Sequence, residues 1–209
     1  LNSRGKRKLE QAFAAFPVSV EGDTVIDIGS SHGGFASLLL EKGARHVYCI
    51  DVAYGILDYS IRRLEKVTAL DRHNIREINS LWFAGEIFPG RHVFVTCDVS
   101  FMSIRTVLSS LCRFLDQEQL SMRGLFLIKP QFEDSKSTEK GILKDETIRR
   151  RILDQSSDFA RSLGFQVQGL KDIEPEKGKN VESFLFLSRI PAGSTEESYA
   201  RVPDPQRPL

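Results

Sequence analysis

Asp98 and Lys129 stand in equivalent places, each directly after a run that reads as a buried β-strand. Asp98 follows Arg91–Cys97, in Cys97-Asp98-Val99-Ser100-Phe101-Met102-Ser103, and Lys129 follows Gly124–Ile128, in Leu127-Ile128-Lys129-Pro130-Gln131-Phe132-Glu133. In open α/β sheets ligands bind outside the carboxyl ends of the strands, so both side chains would face a ligand. A lysine at the end of so apolar a strand is partly desolvated. Desolvation or a second cation nearby makes an ammonium easier to deprotonate, whereas carboxylate neighbours oppose this. Such a lysine can serve as a base; it can equally snorkel to solvent.

A second constellation lies upstream. Asp27-Ile28-Gly29-Ser30-Ser31-His32-Gly33-Gly34-Phe35 links a short β-rich run, Thr24–Ile28, to a helical pattern beginning at Phe35. Glycines there permit a tight turn and close approach of a ligand to the backbone. The following helix offers free N–H groups and a partial positive charge. Asp51 ends the next strand, where a carboxylate can accept hydrogen bonds from both hydroxyls of a ribose. The strand, glycine loop, helix, strand and acid together form the context that the motif requires; alone, the glycines would mark only a tight turn. The loop spacing is GxxxGG rather than GxGxxG, and Asp27 sits at its leading edge. A pyrophosphate would be repelled by that carboxylate, while the sulfonium and amino group of S-adenosylmethionine would tolerate it. The reading therefore moves from a nicotinamide cofactor toward a methyl donor.

The elements that must position these residues follow from hydrophobic periodicity. Helices are expected over Ser3–Phe16, Phe35–Lys42, Gly55–Lys66, Ile104–Leu115 and Thr147–Leu163. Strands are expected at Thr24–Ile28, His46–Ile50, Val67–Leu70, Arg91–Cys97, Gly124–Ile128, Phe165–Leu170 and Ser183–Ser188. Alternating strands and helices give a doubly wound α/β domain, and the last two strands, with no helix between them, give a hairpin at the end of a mostly parallel sheet. The domain is expected to fill residues 1–190. Residues 191–209, which carry half of the chain's 8 prolines, are expected to form a disordered tail.

Composition narrows the classes. The 209 residues carry 29 Lys+Arg and 28 Asp+Glu, a net charge of +1, with 41% hydrophobic residues; this excludes a disordered chain. No apolar run nears the roughly 20 residues of a spanning helix, so no stable membrane association is expected. Cys49, Cys97 and Cys112 are widely spaced and form no disulfide framework, which favours the cytoplasm. His46, His73 and His92 show no metal-ligand spacing, and no metal is expected. Basic clusters at Arg4-Lys6-Arg7-Lys8, Arg62-Arg63 and Arg149-Arg150-Arg151 can neutralise phosphates, although the last reads better as a solvated helix face.

The entry run Ser3-Arg4-Gly5-Lys6-Arg7-Lys8-Leu9 resembles the SRGGxKL motif of the TlyA (haemolysin A-like) family, within the FtsJ-like ribose methyltransferases. The likeness continues in order through Asp27–Phe35, Tyr48–Gly55, Asp71–Asn74, Asp98–Ser103, Lys129–Glu133, Lys140–Asp145 and Lys177–Glu182. The resemblance implies a Rossmann-like S-adenosylmethionine-dependent methyltransferase fold with seven strands. It also implies a catalytic tetrad, carried over as Lys8, Asp98, Lys129 and Glu182. Donor contacts are implied at Asp27, Gly29, Ser31, His32, Gly33, Gly34, Phe35, Asp51, Asn74 and Asp98. Lys6 stands where the family has glycine, His32 where it has threonine, and Lys179 is an added basic residue; His32 is the departure that could alter donor binding. The family usually carries a small RNA-binding domain before the entry motif. That domain is expected to be missing from this chain, which opens on Leu1.

The expected activity is methyl transfer from S-adenosylmethionine to a ribose 2′-hydroxyl of rRNA, a cytidine's, on free rRNA or a ribosomal subunit. Lys129 would take the hydroxyl proton, Asp98 and Glu182 would orient the lysines, and Lys8 would position the hydroxyl. Competing readings are a membrane-active haemolysin and a catalytically weak, donor-binding RNA-binding protein. A nicotinamide oxidoreductase fits least well.

Overall fold

The computed structural model describes residues 3–83, 88–175 and 178–191. Seven strands, β1 (Thr24–Ile28), β2 (His46–Asp51), β3 (Val67–Asp71), β4 (His92–Cys97), β5 (Ser121–Ile128), β6 (Gln166–Asp172) and β7 (Ser183–Arg189), form one sheet in the order β3-β2-β1-β4-β5-β7-β6. The first five are parallel; β7 pairs antiparallel with both β5 and β6. The α/β reading with a terminal antiparallel hairpin is the observed architecture. The expected tail falls almost wholly on residues outside the described ones.

Side chains alternate between the two faces of a strand. On β4, Val93, Val95 and Cys97 enter one apolar cluster and Phe94 the other; on β5, Met122, Phe126 and Ile128 separate in the same way from Leu125 and Leu127. Helices α4 (Ile104–Glu118) and α6 (Glu146–Ser162) cover the first face. Helices α1 (Arg4–Ala15) and α2 (Gly34–Glu41) cover the second, through Leu9, Ala12, Phe35 and Leu39. Ser3 caps α1 by accepting from the Lys6 N–H, and Asp145 caps α6 through the N–H groups of Thr147 and Ile148.

Two expectations are corrected. The helix expected over Gly55–Lys66 shrinks to a single turn, α3 (Tyr59–Arg62), capped by Asp58. Ile56 and Leu57 have helical spacing, yet they belong to the loop after β2, where Leu57 packs into the second cluster. The Arg149-Arg150-Arg151 run is not a uniform solvated face. Arg149 is buried and makes bidentate contacts to Glu146 and to Asp172, with a further bond to Ser183 Oγ. It thereby ties α6 to the ends of β6 and β7. Arg150 and Arg151 are exposed.

Removing one member of a buried ion pair strands the others, whereas an exposed pair contributes little. Arg149→Ala is expected to lower unfolding free energy by about 2–4 kcal/mol, and Arg150→Ala by less than about 0.5 kcal/mol. Chemical denaturation of the two variants checks this; equal losses would contradict the assignment.

Candidate functional site

The parallel strands β1, β4 and β5 end at one edge of the sheet. Because β7 runs the other way, its beginning lies at that same edge, with Ser183 paired to Ile128. Alternation then places Asp98, in step with Phe94 and Thr96, on the face covered by α1. Lys129, in step with Leu125 and Leu127, and Glu182, in step with Phe184 and Phe186, follow the same rule. Helix α1 delivers Lys8 to them. It can lie this close because Gly34 has no side chain: a Cβ there would strike Ser3 Oγ and come within 3.0 Å of the Lys6 nitrogen.

The four residues assemble as a chain of alternating charge. Glu182 Oε2 lies 2.5 Å from Lys8 Nζ, Lys8 Nζ lies 4.0 Å from Asp98 Oδ2, and Asp98 Oδ1 lies 2.5 Å from Lys129 Nζ. All four are largely buried, so each charge depends on its neighbours for the solvation that it has lost. The contacts at Asp98 Oδ1 and Glu182 Oε2 are charge contacts rather than aligned hydrogen bonds. Lys129 Nζ does donate an aligned bond to Ser100 Oγ at 3.0 Å.

Two adjoining cavities open here. The larger, about 850 Å³, holds Lys8, Asp98, Lys129 and Glu182 together with Gly29, Ser31, His32, Gly34 and Phe35. The smaller, about 280 Å³, is lined by Asp51 among Ile50, Val52, Ile56, Ile75 and Met102. Gly29, Ser31, Asp98, Ser100 and Phe101 border both. Gly29 adopts φ +78°, and a Cβ on it would lie 2.7 Å from the Asp98 carbonyl oxygen. The close packing of this loop on the backbone after β4 therefore requires glycine. Asp51 is held by backbone N–H groups on both oxygens, from Ser31 and Ala53, each at 2.9 Å. A carboxylate oxygen has room for a second donor, so a ribose could still be accepted there.

Three of the residues expected to contact the donor line neither cavity. Gly33 starts α2 at φ +89°, against Leu57. Asn74 spends its side-chain oxygen on the Arg76 N–H, capping a short turn, and His73 lines the smaller cavity instead. Asp27 borders neither cavity. It is fully buried beneath the loop, with Oδ1 accepting from Thr96 Oγ1 at 2.7 Å and Oδ2 without a partner. Burial pushes its carboxyl up from the ordinary 3.8 to about 7, the Thr96 bond opposes the rise, and the charges of Asp98 and Asp51 add to it.

Other residues emerge only in three dimensions. Phe101 is 90% exposed at φ +61°, with its ring 4.8 Å from that of Phe132. Asn180 accepts from the Leu143 N–H and donates to the Gly141 carbonyl, fixing the loop that walls the larger cavity. Glu133 accepts from Ser103 Oγ and the Ile104 N–H, bracing the loop after Asp98 against the turn after Lys129. These residues lie inside the motif runs, but their side-chain types carry no signal of a role.

Comparison with known proteins identifies the family. The FtsJ-like methyltransferase family matches residues 1–189. The 16S/23S rRNA (cytidine-2'-O)-methyltransferase TlyA of Mycobacterium tuberculosis is 37% identical over 190 residues, covering 88% of this chain and 67% of that protein. The chain spans about two thirds of the length of the curated relatives it matches. A solved structure described as a hemolysin, from Streptococcus thermophilus, superposes with TM-score 0.81 at 31% identity, covering 94% of this chain and 71% of the other. The N-methyltransferase NodS from Bradyrhizobium japonicum, in complex with S-adenosyl-L-homocysteine, shares the fold alone, at TM-score 0.56 and 13% identity over 89% of this chain and 85% of that one.

The raised pKa of Asp27 has a consequence for stability. Above pH 3.8 the unfolded chain releases this proton while the folded protein keeps it, so stability falls as pH rises toward 7. Asp27→Asn is expected to gain on the parent across that window, by on the order of 4 kcal/mol in total, and to hold a constant margin above it. Denaturation of both proteins between pH 4 and pH 8 measures the margin, and parallel curves would refute the claim.

Proposed function

The chain belongs to the FtsJ-like methyltransferase family, and from that premise we propose that it transfers a methyl group from S-adenosylmethionine to a ribose 2′-hydroxyl of rRNA, a cytidine's. The observation that carries this reading is the Glu182–Lys8–Asp98–Lys129 chain at the junction of two cavities, one suited to a nucleoside and one to a target. The substrate and the nucleotide come from what the TlyA relative is named for.

The smaller cavity would take the adenosine of the donor. Its apolar walls fit the base, and Asp51, already oriented by two backbone bonds, accepts from the ribose. Gly29, Ser31 and Asp98 border both cavities, so the rest of the donor would reach the larger one past them. Bound there, the donor supplies an electrophilic methyl carbon on a sulfonium. Asp98 places negative charge on that side of the loop, which suits a cation.

A ribose hydroxyl is a weak nucleophile and needs a proton acceptor. Lys129 fills that role in its neutral form. It has one carboxylate neighbour and a serine hydroxyl, whereas Lys8 is held between two carboxylates. Lys8 keeps Glu182 and Asp98 in place and points a cation toward the incoming hydroxyl. Much of the rate gain lies in holding the hydroxyl and the methyl carbon in line. The exposed ring of Phe101, backed by Phe132, offers a stacking surface for the target base at the cavity mouth. Exposed Arg4 and Arg7 on α1 can meet RNA phosphates. Residues 1–190 act as one catalytic domain, working where rRNA is, in the cytoplasm.

Titration with S-adenosylmethionine, followed by transfer of labelled methyl to rRNA, tests the reading. Lys129→Met is expected to slow transfer by roughly 10²- to 10⁴-fold, the usual weight of a general base, while donor affinity is retained. Asp51→Ala is expected to weaken donor binding. Transfer by the Lys129 variant at the parent's rate would remove the base assignment, and absence of donor binding would remove the whole reading.

A further inference from the structure

We propose that Ser100 is the positioning residue that aims the Lys129 nitrogen at the target hydroxyl. The inference rests on the methyl-transfer reading above.

The two contacts of Lys129 Nζ differ in kind. Its 2.5 Å contact with Asp98 Oδ1 is a charge contact without hydrogen-bond alignment. Coulomb attraction holds the nitrogen near the carboxylate but does not fix its rotation about the last side-chain bond. The bond to Ser100 Oγ at 3.0 Å is aligned, and among the described residues it is the hydrogen bond that Lys129 Nζ makes. A hydrogen bond is directional. An amine nitrogen is tetrahedral, so a hydrogen committed to Ser100 constrains where the lone pair of the neutral form can point. The same nitrogen also lies over the ring of Phe132, 5.9 Å from its centroid.

Ser100 is itself held for this task. Its loop starts at Asp98, which follows β4, and ends at Ser103, which caps α4. Glu133 grips that far end through Ser103 Oγ at 2.6 Å and the Ile104 N–H at 2.7 Å. Glu133 lies on the turn that begins directly after Lys129, α5 (Pro130–Glu133). The hydroxyl and the amine are thus mounted on one braced frame. Ser100 also borders both cavities, at the place where donor and target must meet.

In the transfer step the hydroxyl O–H bond breaks and its proton joins the Lys129 lone pair. The oxygen electron pair forms the new bond to the methyl carbon, and the pair of the carbon–sulfur bond stays on sulfur. Ser100 accepts from Lys129 throughout and gains or loses no atom. Its contribution is to direction, so it belongs to the rate of the bound complex and not to the binding of either substrate.

Ser100 is exposed, so its substitution leaves the core untouched. Steady-state methyl transfer is measured for the parent, Ser100→Ala and Ser100→Thr. The expected result for Ser100→Ala is a kcat lower by roughly tenfold to a hundredfold, the weight of a hydrogen bond to a charged group, with KM for S-adenosylmethionine and for rRNA unchanged. Ser100→Thr, which keeps the hydroxyl, restores most of the rate. An unchanged kcat in Ser100→Ala, a change confined to KM, or a threonine variant as slow as the alanine one would overturn the inference while leaving methyl transfer standing. A parent protein that transfers no methyl group would overturn both.

Discussion

Four charged side chains at one edge of a sheet, largely withdrawn from water, need one another. Glu182, Lys8, Asp98 and Lys129 alternate in sign, and removing any one would leave its neighbours as buried charges without a partner. The rest of the domain can be read as the means of keeping the four together. Two of them follow parallel strands. The third precedes a strand that must run backwards to begin at the same edge, which gives the terminal hairpin a reason in chemistry. The fourth comes from a helix that precedes the whole sheet, packed across α2 on a glycine.

The same constraint orders the surroundings. Arg149, buried beneath β6 and β7, links Asp172 to Ser183, the residue after Glu182, and so fixes the place where β7 starts. The backbone adds a bond from the Ile173 N–H to the Glu182 carbonyl. Asn180 pins the loop facing this edge, and Glu133 pins the loop carrying Ser100 and Phe101. These polar networks hold in place the loops and strand ends around the charge chain.

What could be read from the sequence follows from how local each signal is. The glycine loop, the acid ending β2 and the strand–helix alternation are contiguous patterns, and they led to the fold and to Gly29, Ser31 and Asp51 at the cavity rim. The tetrad spans residues 8 to 182 and carries no period; only resemblance brought it together, and strand parity now explains why those positions meet. Periodicity misled at Gly55–Lys66, because Ile56 and Leu57 are apolar for the sake of a pocket wall and a core contact rather than a helix face. It could not separate Arg149 from Arg150, since the partners of Arg149 lie on strands far along the chain. A donor contact at Asp27 was implied by resemblance; in the fold its neighbour on β4, Thr96, holds it under the loop. Ser100 and Phe101 were invisible as site residues, because a serine and a phenylalanine in a loop signal nothing until a lysine and a cavity stand beside them.

The central claim is that this charge chain serves a ribose hydroxyl and not a base nitrogen or carbon. The position of the methyl group on the product tests it most directly. Ribosomal RNA treated with the protein and labelled S-adenosylmethionine would be hydrolysed with alkali and its nucleosides identified by mass. A 2′-O-methyl group blocks cleavage at its own phosphodiester, so the account predicts label in alkali-resistant dinucleotides and in ribose-methylated cytidine. Label released in mononucleotides methylated on the base would contradict it.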